Sequence, residues 1–110
     1  MKPEEAFQKQ VIDLAHLHGW LVAHFRTAKV QTKQGVRYMT PVGADGKGFP
    51  DLVLVRERVI YAELKAKTGR LRPDQVVWMD KLLDAGAAWY LWRPQDLDHI
   101  NQILNQRRAR

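Results

Sequence analysis

The sequence contains no cysteine, which excludes disulfide staples and thiolate metal sites and leaves oxygen and nitrogen as the donors a metal could find. It also lacks any apolar run of the roughly 18 residues that a membrane span requires. Its first residues, Met-Lys-Pro-Glu-Glu, are without the apolar stretch of a signal peptide. The expectation is a cytoplasmic protein with no membrane partner. No linker, internal repeat or low-complexity segment divides the 110 residues, so a single domain over 1–110 with one core is expected. Acids are scarce in one stretch: from Arg26 to Lys47, only Asp45 opposes Arg26, Lys29, Lys33, Arg37 and Lys47.

What is present is a surplus of positive charge. Lys and Arg number 18 against 12 Asp and Glu, a net charge of +6, and that balance favours a polyanionic partner such as nucleic acid. The 45% hydrophobic share is that of an ordinary globular chain.

Phe7, Val11, Leu14, Ala15 and His18 recur at helical spacing before Gly19, which predicts an amphipathic helix over Pro3 to His18. Trp20 to Phe25 reads as a strand. Gly35, Gly43, Gly46, Gly48 and Pro41 make the stretch from Thr27 to Gly48 a loop or irregular hairpin, with Val36–Met39 as a short strand within it. Asp51–Val55 and Val59–Lys65 form two strand-like runs separated by the charged turn Arg56-Glu57-Arg58, the pattern of an antiparallel pair. Pro73 opens a second helix with Val76, Met79, Leu82 and Leu83 on one face and Gly86 as its stop. Ala87–Trp92 is a further strand, and Pro94 starts a last helix bearing Leu97, Ile100, Ile103 and Leu104. The fold class is α/β, a mixed β-sheet flanked by helices in the order α-β-β-β-α-β-α.

Chemistry concentrates in Gly48-Phe49-Pro50-Asp51 and Glu63-Leu64-Lys65. Side chains alternate along a strand, so Glu63 and Lys65 share a face. If the two runs pair as a hairpin, Asp51 lies beside them. Two carboxylates there suit Mg²⁺, which takes few protein ligands and leaves room for a phosphate. Phosphodiester hydrolysis needs an activated water and neutralised charge, and a lysine beside the metal can hold the water and a phosphate oxygen. Taken alone, Glu-x-Lys is usually a solvated face or an ion pair, and Pro-Asp an ordinary turn. The acids here, however, are embedded in apolar runs, Asp51 before Leu-Val-Leu-Val and Glu63 after Val-Ile-Tyr-Ala, and buried acids need a reason.

Gly48-Phe49-Pro50-Asp51-Leu52, Ala62-Glu63-Leu64-Lys65, Thr68-Gly69-Arg70-Leu71 and Gln75 together resemble the VRR-NUC (virus-type replication-repair nuclease) branch of the PD-(D/E)xK nuclease superfamily. The likeness takes in Glu4 with Phe7-Gln8, Gly19-Trp20, His24 and Trp92-Arg93-Pro94, so that it spans nearly the whole chain in the manner of a stand-alone domain. It implies a restriction-endonuclease-like fold. Asp51 and Glu63 would be metal ligands, the Leu64 backbone carbonyl a further one, and Lys65 the catalytic lysine. Glu4, three residues before the apolar Phe7, would reach the metal through water, in preference to Glu5. Gln75 would orient the lysine or a metal-bound water. Mg²⁺ would be the cofactor, with Mn²⁺ able to substitute. Branched DNA such as a four-way (Holliday) junction would be the substrate of a homodimer in a prokaryotic or phage-infected cell. A flap- or end-directed nuclease working beside a helicase, or a non-catalytic DNA-binding subunit, are the competing readings.

Other signals are weaker. His16 and His18 face different ways on a helix. His24 is either aimed at the metal cleft by strand alternation or a hydrogen-bonded core residue, and His99 is expected at the surface. Trp78, Trp89 and Trp92 read as core rather than base-stacking residues. Arg26, Lys29, Lys33, Arg37 and Lys47 are expected to grip DNA phosphates, with Lys67, Arg70 and Arg72 extending the track.

Overall fold

The computed structural model describes residues 2–25, 28–39 and 42–107, with the backbone alone described at 28–30 and 38–39. Helix α1 spans Pro3–Leu17, opened by proline in its first turn and the acids Glu4 and Glu5 at its positive end. Strand β1, Leu21–His24, follows after Gly19 takes a positive φ of 83° to end the helix. Strands β2 (Ala28–Thr32) and β3 (Gly35–Met39) come next, then β4 (Leu52–Val55) and β5 (Val59–Leu64). Helix α2 (Pro73–Asp84), strand β6 (Ala88–Trp92), a 3-10 turn (Pro94–Asp96) and helix α3 (Leu97–Asn105) complete the order.

A four-stranded mixed sheet has the order β1-β4-β5-β6. β1 and β5 each run antiparallel to β4, and β6 runs parallel to β5 with α2 as the crossover. Helices flank the sheet, as a restriction-endonuclease-like fold requires. The β2–β3 hairpin is a separate two-stranded ribbon. Of the loop or irregular hairpin that sequence patterning allows here, the hairpin forms, with β2 added to the expected short strand, so five strands rather than three lie between α1 and α2.

One face of the sheet packs against α1 and α3. Leu52, Leu54, Ile60, Ala62, Leu64 and Trp92 meet Phe7, Val11 and Ala15 of α1 and Ile100, Ile103 and Leu104 of α3 in one buried cluster. The turn between β4 and β5 fastens this layer. Arg56 donates to the carbonyls of His18, Leu104 and Gln106, and Arg58 to those of Ile103 and Gln106. Carbonyls at the end of a helix have no partner within it, and the two guanidiniums supply donors at the ends of both α1 and α3. Both also lie over the ring of Trp20, at 4.5 and 5.1 Å from its centre. Trp20 itself donates from Nε1 to the Leu104 carbonyl at 2.9 Å.

Helix α2 covers the opposite face less completely. Its apolar residues Val76, Met79 and Leu82 are only partly buried and Leu83 is 49% exposed, so the expected apolar face does not form a second core. The buried residue of this helix is polar, Gln75. Aromatic edge-to-face contacts fill the gap instead: Phe49 meets Trp78 at 5.0 Å, Phe25 at 5.4 Å and Tyr61 at 6.1 Å between ring centres. Trp78 is therefore half-buried rather than core, while Trp92 is fully buried.

Candidate active site

The strand register brings the two acids together. Leu52 pairs with Ala62, so one residue further along this antiparallel ladder Asp51 lies opposite Glu63, on the same face. Two hydrogen bonds fix Asp51 in that place. Its carbonyl accepts from Phe25 N–H at 3.1 Å, and its Oδ2 accepts from Leu64 N–H at 2.9 Å. Glu63 and Leu64 pair with Leu91 and Trp92 of β6, and Lys65 N–H donates to the Trp92 carbonyl at 3.0 Å, carrying the pairing one residue past the strand end.

Asp51 arrives at this position along a pinned loop. Trp78 Nε1 donates to the Asp45 carbonyl at 3.0 Å, and Phe49 N–H to the Gly46 carbonyl. Gly48 has a φ of 90°, and a Cβ there would lie 2.5 Å from the backbone of Asp74. Only glycine lets the loop pass so close to the start of α2. The Gly-Phe-Pro-Asp motif thus combines a close approach, an aromatic plug, a buried proline and an acid.

Glu63 is 2% exposed and Gln75 5%. Gln75 Nε2 donates to Glu63 Oε1 at 3.1 Å, and Gln75 Oε1 accepts from Arg72 N–H at 2.9 Å. Burial raises the Glu63 carboxyl to about 9, reinforced by a hydrogen bond with Asp51 and by its charge, while Lys65 and Arg72 pull the other way. A buried carboxyl held this far above its ordinary range beside a second acid marks a site short of positive charge.

Lys65 acts on Glu63 electrostatically and also walls a cavity of about 410 Å³. Its lining includes Pro3, Glu4 and Phe7 of α1, Leu64 to Lys67, and Pro94. Glu4 is thus beside the lysine across the cavity rather than in a cluster with the two acids. Among the described residues no three His, Cys, Asp and Glu side chains gather into a metal-holding group. Asp51, Glu63 and the adjoining Leu64 backbone nevertheless bring hard oxygen donors close together, the donor chemistry that a divalent cation such as Mg²⁺ takes.

Sequence reasoning left two features of this region unread. Gly48 is a spacing device against Asp74, which only the tertiary contact reveals. Gln75 bonds Glu63 itself, whereas its expected partners were the lysine or a metal-bound water. His24 pairs with Leu52, and by alternation it faces the core side of the sheet, not the side of the acid pair. His18 pairs with Asn101 at 2.7 Å, and His16 and His99 are exposed.

Lys33, Arg37, Lys47, Lys67, Arg70 and Arg72 are all exposed. Arg26 and the side chain of Lys29 lie outside the described residues, as do Arg108 and Arg110. Arg70 and Arg72 lie on the segment that joins β5 to α2, and Lys67 on the rim of the cavity.

The family model of the VRR-NUC domain matches residues 31–94. The chain belongs to the VRR-NUC family. The match runs from the β2–β3 ribbon through Asp51, Glu63, Lys65 and Gln75 to the start of the 3-10 turn. Neither a curated protein nor a solved structure matches the chain. This VRR-NUC domain is a nuclease of the PD-(D/E)xK type, a hydrolase with DNA as its substrate, and nucleases of this superfamily generally use divalent metals. Among the described residues no helix is long and apolar enough to cross a membrane.

Proposed function

We propose that the protein is a Mg²⁺-dependent endodeoxyribonuclease, with Mn²⁺ able to substitute, acting in the cytoplasm as a homodimer on branched DNA such as four-way (Holliday) junctions. The observation that carries the catalytic part is the buried Glu63 facing the half-buried Asp51, with Lys65 near enough to act on Glu63. Asp51, Glu63 and the Leu64 carbonyl would hold the cation. When bound, it supplies Lewis-acid stabilisation of the phosphoryl oxygens and a more acidic water. Lys65, which lines the cavity, would hold the attacking water or a phosphate oxygen. Gln75 keeps one Glu63 oxygen oriented, and Glu4 contributes negative charge on the facing wall of the cavity, where it can hold a water of the cation's shell.

The exposure of Lys33, Arg37, Lys47, Lys67, Arg70 and Arg72 supports DNA contact. The branched substrate and the homodimer rest on the family resemblance, and a two-fold dimer would present two sites to two strands. Cleavage of junction, flap and linear duplex by the wild type beside Lys65→Ala tests the proposal, with Mg²⁺, Mn²⁺ or EDTA present. Paired nicks placed symmetrically across the junction, absent in Lys65→Ala, are expected. End-dependent products would favour a flap- or end-directed nuclease. Metal-independent binding without cutting would favour a DNA-binding subunit.

A further inference from the structure

The β2–β3 ribbon has a construction that the catalytic reading does not use. Its two strands pair with each other and join neither edge of the main sheet. Its register runs unbroken from Ala28↔Met39 to Thr32↔Gly35. The tip is closed tightly: Thr32 Oγ1 donates to the Gly35 carbonyl at 2.7 Å and accepts from Gln34 N–H, and Gly35 has a φ of 114°. Its outer half displays Gln31, Lys33, Gln34, Val36 and Arg37, all exposed. An isolated two-stranded ribbon is marginally stable alone, and the exposed polar and basic side chains of its outer half point to a surface outside the molecule.

We propose that this ribbon is an arm that enters the major groove of duplex DNA flanking the cleavage site. Two strands about 4.8 Å apart, each of five residues and so about 16 Å long, match a groove about 12 Å wide and about 8.5 Å deep, whereas the minor groove at about 6 Å is too narrow. Lys33 and Arg37 neutralise phosphates at the groove walls, and Gln31 and Gln34 carry amides that can both donate to and accept from base edges. No acid lies on the ribbon to oppose a phosphate. The occupant follows from the nuclease reading of the domain, but the arm's contribution is to affinity and to preference for duplex over single strands.

Two measurements on the full chain test this, both in EDTA so that neither depends on cleavage. Binding of a 20-base-pair duplex and of a 20-nucleotide oligo(dT) is titrated at several salt concentrations, for wild type and for Lys33→Gln/Arg37→Gln. The variant should lose about tenfold or more in duplex affinity, with a salt slope smaller by about 2, and should bind the single strand nearly as the wild type does. Equal losses on both DNAs, or no loss on either, overturn the arm. Because the sequence has no cysteine, Gln34→Cys gives a unique anchor for an iron chelate. Strand cuts on the duplex paired across the major groove are expected, and cuts across the minor groove, or none, refute groove entry even if the double variant proves unstable. A protein inert with every metal but passing both tests would discard the catalytic proposal and keep the arm.

Discussion

Gln75 and Glu63 are joined by a buried hydrogen bond of 3.1 Å between the amide nitrogen of one and Oε1 of the other. The other end of the amide accepts from Arg72 N–H at the start of α2, so the glutamine ties the helix entrance to the acid and its orientation is set from both sides. Gln75→Ala should cost about 1–3 kcal/mol of stability, because it leaves a buried carboxyl oxygen without a donor, and should lower cleavage by about tenfold or more. Gln75→Glu keeps an oxygen for the Arg72 cap but loses the amide donor. With a further carboxyl buried against Glu63, it should be no more stable than Gln75→Ala and no more active. Thermal melts beside single-turnover cleavage make the comparison, and an alanine variant that cuts as fast as the wild type would remove Gln75 from the site.

Asp51→Asn, Glu63→Gln and Lys65→Ala should each reduce cleavage by about a hundredfold or more, since a metal-centred site supplies several kcal/mol of transition-state stabilisation. DNA affinity should stay nearly intact, because the exposed basic residues proposed to meet the phosphates lie outside this trio. Cleavage rates and binding titrations on the same junction check both halves. Any variant that keeps wild-type activity takes its residue off the list of participants.

The metal-free protein should lose stability as pH rises. Burial, with the hydrogen bond and charge of Asp51, lifts Glu63 from its ordinary 4.5 to about 9. The folded state then keeps a proton that the unfolded chain has released, so the contribution is complete below about pH 4.5 and disappears towards pH 9. In EDTA the melting temperature should fall between pH 6 and 8.5, and Glu63→Gln should flatten that slope. A steeper or unchanged slope in Glu63→Gln would show that another group sets the dependence.

How much of this could be read in the sequence follows from where a buried face exists. Helix α1, β4, β5, β6 and α3 each turn apolar residues to one cluster, and their periodicity locates them to within a residue or two. The Asp51–Glu63 juxtaposition follows from the hairpin pairing, since alternation and register are enough to place the acids. The β2–β3 ribbon lies outside the main sheet, and its polar run Gln31-Thr32-Lys33-Gln34 carries no alternation, so the sequence leaves loop and irregular hairpin open there and does not show β2. Leu83 fails for the related reason that α2 covers the sheet with Gln75 and aromatic edges rather than with its aliphatic stripe. The Arg56-Glu57-Arg58 turn looks like ordinary polar punctuation because its partners are backbone carbonyls some 40–50 residues away.

Gly48→Ala should act on the site without touching it. The added methyl would fall 2.5 Å from the Asp74 backbone, and the φ of 90° is itself unfavourable for a side chain. The start of α2 would have to move, taking Gln75 away from Glu63. A stability loss of about 2 kcal/mol or more is expected, with cleavage reduced beyond what the unfolded fraction explains. A variant folded at the assay temperature with normal cleavage would mean that the close approach shapes the loop alone.

Arg56→Ala tests the opposite end of the molecule, where stability and catalysis should separate. Its guanidinium serves carbonyls of His18, Leu104 and Gln106 and lies over Trp20, and removing a charged donor from carbonyls at helix ends costs about 2 kcal/mol or more. For a chain of this size that is a fall of roughly 10 °C in melting temperature. The clamp lies at the β4–β5 turn, at the other end of those strands from Asp51 and Glu63, so the folded fraction should cut DNA at the wild-type rate. Arg56→Lys should recover only part of the loss, since one ammonium cannot reproduce the fork that spans three carbonyls. Cleavage that falls in the fully folded Arg56→Ala protein would show that the clamp also sets the geometry of the acid pair.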